Sequence, residues 1–195
     1  TIEIAKILGT KYIRVFSFFI PKEDDSAIYR DEVMARMKAM TALAVREGVI
    51  LLHENEKDIY GDIAARCKDI LDTVDSDNLR AVFDPANFVQ CDQVTYPDAY
   101  EMLKDHVVYM HIKDALFADS SVVPAGHGDG RVRDILQALS DRNYDGFLSL
   151  EPHLGSFDGL GDLEVGDEML SLTKSDAGKF TLAYNSLKKI LDDIR

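Results

Sequence analysis

The sequence predicts an α/β fold in which parallel strands alternate with helices. Two observations support this: five apolar runs of strand length are separated by helical sequence, and four of the runs lead to an acidic residue or a histidine. Strands that alternate with helices form a parallel sheet with the helices outside it. Of the 195 residues, 46% are hydrophobic and 29% are charged, so we expect one globular domain over residues 1–195.

The predicted strands are short apolar runs bounded by glycine, proline or polar residues. They cover residues 11–19, 49–54, 79–84, 107–112 and 147–151.

The predicted helices follow from apolar residues spaced for one face and from glycines that stop them. Gly9 ends the first helix and Gly48 ends the second, in which Val33, Met37 and Ala44 share a face. A loop rich in glycine and aspartate precedes the last helix. The helices are predicted at residues 2–8, 27–47, 59–74, 97–103, 132–140 and 177–194.

The composition excludes several classes of partner. The formal net charge of −13 argues against nucleic acid, because contacts to phosphates need a basic face, and it disfavours an anionic membrane surface. No apolar run approaches the ~20 residues of a membrane span. The first ten residues do not resemble a secretion signal. Cys67 and Cys91 are predicted to be free thiols, so we expect a cytoplasmic protein.

Four side chains with metal-binding chemistry stand at the ends of successive predicted strands. They are Glu54, Asp84, His111 and Glu151. The carboxyl ends of parallel barrel strands converge on one mouth, where active sites are built. Three carboxylates and one imidazole suit a single divalent ion: Mn²⁺, Mg²⁺, Co²⁺ or Zn²⁺. The alternative for each residue alone is a helix cap or a solvated charge, but four in succession favour one metal site.

Four segments carry a resemblance to a known family: HIKD, FDPANF, AGHGDG and LSLEPHL. Over about residues 10–155 the chain resembles the xylose isomerase-like TIM barrels, in particular the sugar phosphate isomerase/epimerase group. The resemblance implies a (β/α)8 barrel of which this chain matches about the last five βα units, a partial barrel. The alternative is an open five-stranded sheet complete in itself.

A partial barrel leaves two strand edges and an apolar face open, which is costly. We expect them to be covered by an N-terminal segment or by a second copy in a homo-oligomer. The outer edges of the first and last strands should have no partner in this chain. Three apolar residues should be buried less than their types warrant: Ile13, Val15 and Leu148.

The resemblance implies an isomerase or epimerase that depends on a divalent metal ion and acts on a sugar or sugar phosphate. Glu54 and Glu151 would be the catalytic base and acid, and the reaction would pass through an enediolate. Removal of the same proton also begins a dehydratase (lyase) reaction on an inosose or keto acid, which is the second hypothesis. The third hypothesis is a non-catalytic partial-barrel subunit.

The substrate would be bound by residues beside the metal ligands. The candidates are Lys113, Asn87, His153 and His127. Lys113 could instead form a structural ion pair, and the histidines could be ordinary loop residues. Asn87 and Phe117 replace a histidine and an arginine of the ketohexose 3-epimerases, which argues against a free ketohexose. The family's DNA-repair branch uses many histidines, whereas this acidic chain has five.

Four further features border the predicted site, and two of them, Arg14 and the segment 126–130, have two interpretations each. Arg14 could neutralise the acidic mouth or form a buried ion pair, and Glu56 could support the metal ligands. His53 is out of phase with Glu54 and is predicted to pack under a helix. The glycine-rich segment 126–130 could bind a phosphate through its backbone amides, or form a turn and helix cap.

Overall fold

The computed structural model describes residues 1–154 and 176–194. A parallel sheet forms the centre of the molecule, and its strands are β1 (Tyr12–Val15), β2 (Ile50–Glu54), β3 (Leu79–Phe83), β4 (Val107–Ile112) and β7 (Phe147–Leu150). They lie side by side in the order β1-β2-β3-β4-β7. Two very short strands, β5 (Asp114–Ala115) and β6 (Val122–Val123), pair antiparallel beyond β4.

Helices connect the strands and pack on one side of the sheet. They are α1 (Ile2–Leu8), α2 (Arg30–Glu47), α3 (Ala64–Val74), α4 (Pro85–Val89), α5 (Tyr100–Leu103), α6 (Val132–Asp141) and α7 (Asp176–Asp193). A 3₁₀ turn at Ser26–Tyr29 leads into α2, and an irregular turn at Thr95–Ala99 leads into α5. Gly9 and Gly48 end α1 and α2 with left-handed φ angles of 68° and 70°, as the sequence predicts.

The parallel, partial-barrel architecture is confirmed, with all five predicted strands adjacent in chain order. Three details differ. The first strand stops at Val15 because the chain then leaves the sheet, and α3 begins at Ala64 rather than at residue 59. The sequence did not predict α4, β5 or β6, which have five, two and two residues. Most of the predicted loop after residue 151 lies outside the described residues.

The two faces of the sheet are covered differently. Leu51, Phe83 and Met110 point to the helices and join a core with Met37 of α2 and Ile70 of α3. Their neighbours along each strand point the opposite way, because side chains alternate in a strand. We call this second side the open face.

The outer edges of β1 and β7 have no partner strand within residues 1–154 and 176–194, as predicted. Val15 and Leu148 are only half-buried. The prediction for Ile13 was wrong: it is buried, because it faces the helical layer and joins the core that includes Ala5 of α1. The exposed apolar residue of the last strand is Phe147, on the open face.

In the part of the chain that is described, no helix combines the length and the apolar composition needed to cross a membrane.

Candidate metal centre

The four predicted ligands converge at the carboxyl end of the sheet. Glu54 is the last residue of β2, Asp84 follows β3, His111 lies in β4 and Glu151 follows β7. Each offers one ligand atom, and these four atoms lie within 4.8 Å of one another. The parallel register brings the strand ends side by side, so residues that are 97 positions apart in sequence share one site.

The local structure at Asp84 directs one of its oxygens into the site. Asp84 is the N-cap of α4: its Oδ1 accepts a hydrogen bond of 2.9 Å from the Asn87 N–H, and Pro85 occupies the first helical position. The other oxygen, Oδ2, lies 4.0 Å from Nδ1 of His111. The capping bond therefore holds the carboxylate through Oδ1 and leaves Oδ2 directed at the site, where it could bind a metal ion.

His111 stands at the centre of the carboxylates. Its Nδ1 lies 2.8 Å from Oε1 of Glu54 and 2.9 Å from Oε2 of Glu151. Burial disfavours the charged imidazole, but the bonds to Glu151 and Glu54 outweigh it and raise the pKa of His111 to about 9. Without an ion, the histidine proton holds the carboxylates together.

The two carboxylates nearest Lys113 have opposite pKa shifts. Burial raises the pKa of Asp84 to about 7, against the opposing attraction of the Lys113 ammonium. Burial also opposes ionisation of Glu151, but His111 and Lys113 outweigh it and lower the pKa of Glu151 to about 2. Glu151 is therefore a carboxylate at neutral pH, as a metal ligand or a base must be.

The residues fit a divalent ion on two observations. Three carboxylates and one imidazole match the ligand preference of Mg²⁺, Mn²⁺, Co²⁺ or Zn²⁺. In addition, Asp84 Oδ2 and Glu151 Oε2 are buried, and although Lys113 and His111 lie within 3.0 Å of them, neither oxygen makes a well-aligned hydrogen bond within the described residues. These anionic oxygens therefore keep acceptor capacity that a cation bound between them would use.

Two cationic side chains border the site. Lys113 is buried, with its Nζ 3.0 Å from Asp84 Oδ2 and 3.6 Å from Glu151 Oε2. Arg14 of β1 donates from Nη1 to Oε2 of Glu54 at 2.8 Å, and its side chain is 48% exposed. Arg14 therefore combines the two interpretations: it pairs with a buried acid and presents its charge to the mouth.

The other predicted substrate residues lie at different distances from the centre. The side chain of His153 is exposed, and its Nε2 lies 3.4 Å from Oε1 of Glu151. Asn87 is buried, and its Nδ2 donates to the backbone oxygen of Asn55 and to Oε1 of Glu54. His127 makes no hydrogen bond or ion pair with the four ligands among the described residues; burial, and to a smaller extent the charge of Lys189 of α7, lower its pKa.

His53 and Glu56 lie outside the centre. His53 is fully buried on the helical side, next to Gly61, as the sequence predicts, and burial lowers its pKa to about 4. The Oε1 atom of Glu56 lies 3.9 Å from Nζ of Lys57, and Glu56 is not among the four converging residues.

The segment 126–130 forms a turn around a buried carboxylate. Asp114 accepts hydrogen bonds of 2.8–3.0 Å from four backbone N–H groups, those of Ala115, Gly126, Gly128 and Gly130. A Cβ atom at Gly128 or Gly130 would collide with this carboxylate. The amides that could have bound a phosphate are thus occupied by Asp114, which favours the turn.

Sequence reasoning missed Asn55 and Asp114 as supports of the site. Asn55 directly follows Glu54, and its side chain bonds to the backbone of Asp84. In both cases the available signal was a polar residue next to a predicted site residue: Asn55 follows the ligand candidate Glu54, and Asp114 follows the substrate candidate Lys113.

A model of the "Xylose isomerase-like TIM barrel" family matches residues 1–172. A search of curated protein sequences found no match.

Three solved structures illustrate what the chain is similar to. A D-tagatose 3-epimerase-like protein is 18% identical, with 99% of this chain and 66% of that chain covered and a TM-score of 0.74. The IOLI protein with a binding zinc atom is 17% identical, with 100% and 67% covered and a TM-score of 0.72. The probable 3-DHS dehydratase AsbF from Bacillus anthracis is 22% identical, with 77% and 60% covered and a TM-score of 0.65. This chain therefore spans about two thirds or less of their lengths.

Proposed function

Because the chain belongs to the xylose isomerase-like TIM barrel family, we propose that it provides the centre of a divalent-metal-dependent isomerase or epimerase. The substrate would be a small sugar or sugar phosphate with a hydroxyl group next to a carbonyl group. The observation that carries the proposal is the convergence of four ligand atoms within 4.8 Å at the carboxyl ends of four strands.

The residues of the centre divide the work of proton transfer. A bound divalent ion would act as a Lewis acid toward the hydroxyl and carbonyl oxygens of the substrate. Glu151, ionised at neutral pH, would accept the proton from the carbon next to the carbonyl group, leaving an enediolate. Glu54, from the strand end across the site, would take up a proton from solvent and deliver it to the substrate, and the proton on Glu151 would leave to solvent with the product. Return to the neighbouring carbon gives isomerisation, and return to the opposite face gives epimerisation.

The charge of the centre suits an anionic intermediate. Three carboxylates, the cations Lys113 and Arg14, and a divalent ion together leave one net positive charge when His111 is neutral. The whole chain carries −13. A locally positive, partly buried site stabilises the negative charge that develops on an enediolate.

A dehydratase is the second candidate. The Lys113 ammonium lies 3.6 Å from Glu151, and its pKa is raised: burial opposes the charge, but the nearby carboxylates outweigh it. Lys113 could therefore donate a proton to a departing hydroxyl group after Glu151 has removed the α-proton. The similarity to a structure described as a probable 3-DHS dehydratase supports this reaction as the second candidate.

Deuterium exchange tests the proposal and separates the candidates. The protein would be incubated in D₂O with Mn²⁺ and with ketoses, ketose phosphates, an inosose and a keto acid, and followed by NMR and mass spectrometry. Deuterium at the α-carbon with all hydroxyl groups retained supports the isomerase. Loss of water supports the dehydratase. If Mn²⁺ binds and no substrate exchanges, the non-catalytic subunit is the remaining hypothesis.

A further inference from the structure

A side chain extends the pairing of β2 and β3 beyond the end of their ladder. The backbone register runs from Leu51↔Leu79 to Glu54↔Val82. The Nδ2 of Asn55 then donates to the backbone oxygen of Asp84 at 2.9 Å, and its Oδ1 accepts from the Asp84 N–H at 2.9 Å. One amide side chain thus takes the place of a peptide group and binds both backbone groups of Asp84.

Asn87 closes this arrangement from the other side. Its Nδ2 donates to the backbone oxygen of Asn55 at 2.9 Å and lies 3.4 Å from Oε1 of Glu54, while its N–H binds Oδ1 of Asp84. Asn55, Asp84 and Asn87 are each at most 2% exposed. Water therefore cannot readily replace these bonds, and the polar groups are held in one arrangement.

The arrangement links two metal-ligand candidates through Asn55. Glu54 is the residue before Asn55, and Asp84 is held by the Asn55 side chain. The backbone positions of the two carboxylates are therefore tied to each other, although Asn55 is not among the converging ligands.

We propose that Asn55 is a positioning residue of the metal centre. It fixes Glu54 and Asp84 at the separation that a divalent ion requires, by binding both backbone groups of Asp84. This inference rests on the proposed metal-dependent function. In this role Asn55 contacts neither the metal ion nor the substrate and acts only through the backbone of Asp84.

The chain offers a matched control at the opposite end of the same two strands. Asn78 lies just before β3, and its Nδ2 donates to the backbone oxygen of Val49, just before β2, at 2.7 Å. Like Asn55, it joins the two strands by a side-chain amide over 29 sequence positions. Asn78→Ala therefore removes a similar bond six residues before Asp84, about 20 Å away along a strand that rises ~3.3 Å per residue.

The experiment measures Mn²⁺ affinity by calorimetry for the wild type, Asn55→Ala and Asn78→Ala, with thermal unfolding of each. We expect Asn55→Ala to weaken Mn²⁺ binding by about 10–100-fold, the usual effect of removing a group that orients metal ligands. Asn78→Ala should lose stability but keep the wild-type affinity.

A spectroscopic measurement adds a readout that general destabilisation does not change. The visible absorption of bound Co²⁺ depends on ligand geometry, so Asn55→Ala should alter the spectrum and Asn78→Ala should not. If Asn55→Ala does not fold, Asn55→Leu replaces it, because it keeps nearly the same volume, adds no charge and removes both bonds to the Asp84 backbone. Its Co²⁺ spectrum should also differ from that of the wild type.

The outcomes separate this inference from the function on which it rests. If the wild type binds neither Mn²⁺ nor Co²⁺, the proposed function is overturned. If the wild type binds them, but Asn55 and Asn78 variants have equal affinities and unchanged Co²⁺ spectra, the function stands and the positioning role of Asn55 is overturned.

Discussion

The two faces of the five-stranded sheet differ in what covers them. On β4, Met110 and Ile112 point into the helical layer and are at most 2% exposed. Tyr109 and His111, one step away on the same strand, point to the open face and are only partly buried. Successive residues of a strand point to opposite faces. A core residue such as Met110 is therefore the direct neighbour in sequence of a candidate metal ligand, His111.

The open face is itself divided along the strands. Its carboxyl end holds the candidate metal centre, where Arg14 and Lys113 offset part of the acidic charge. At the other end, the rings of Tyr12, Tyr109 and Phe147 contact one another, and Phe147 is 59% exposed. The helical face should therefore determine folding, the carboxyl end of the open face should determine activity, and the aromatic end should affect neither strongly.

The largest effect is expected from Glu151→Gln. The amide keeps the shape of the side chain but cannot act as a base, so turnover should fall by at least ~10²–10⁴-fold. Mn²⁺ binding should weaken only partly, because three ligands remain. The control is Ser149→Ala, one step back on the same face, whose hydroxyl pairs with Tyr109. Wild-type turnover of Glu151→Gln would contradict the assignment.

On the helical face, Met110→Ala should destabilise the protein by about 2–5 kcal/mol, because it leaves a cavity in a fully buried core. Chemical unfolding monitored by circular dichroism measures the change. Mn²⁺ affinity of the folded variant should stay close to that of the wild type, although His111 is the next residue. A large loss of affinity in the folded protein would show that the two faces are not independent.

The affinity for a divalent ion should increase with pH. His111 has a pKa of about 9 in the ion-free site and must lose its proton before its nitrogen can bind metal. Binding should therefore strengthen by about tenfold per pH unit below 9, and more steeply below 7, where Asp84 also becomes protonated. Calorimetry in buffers of different ionisation enthalpy would measure the released protons. Binding that does not change between pH 6 and 8 would rule out His111 as a ligand.

The smallest effect is expected at the aromatic end. Phe147→Ser removes an exposed ring whose centroid lies 5.4 Å from that of Tyr109, on which it stacks. The free energy of unfolding should therefore fall by only about 1 kcal/mol or less. A loss as large as that of Met110→Ala would mean that this ring is covered in solution. Repeating the unfolding at several protein concentrations would then test a second copy as the cover.

The fold was largely predictable because its strands and long helices have strong periodic patterns. All five strands of the sheet were predicted, and the ends of α1 and α2 were marked by Gly9 and Gly48. The short α4 was missed although Asp84 and Pro85 are typical of a helix start, because five residues show no period. Strands β5 and β6 have two residues each, and their pairing depends on tertiary contacts.

The site was predictable only in part. Four ligand candidates could be proposed because each follows an apolar run, and the structure brings them together. Their supports were missed because a polar neighbour is only a weak signal, and the bond between Asn55 and Asp84 depends on the register of two strands that are far apart in sequence. The same holds for Asp114, whose neighbours come from a loop that begins twelve residues later. The substrate contacts proposed for Lys113, Asn87, His153 and His127 stay predictions.

The hydrogen bonds to the Asp114 carboxylate should also slow the motion of the glycine-rich segment 126–130. Loop amides ordinarily exchange their hydrogens with solvent quickly, because little needs to open. Gly126, Gly128 and Gly130 instead donate to a fully buried acid that is anchored just beyond β4. Their hydrogens can exchange only when that acid is released, an event that also disturbs the end of the sheet. The glycine-rich segment, bound to an acid three residues after His111, should thus open slowly and stay rigid instead of moving as a lid.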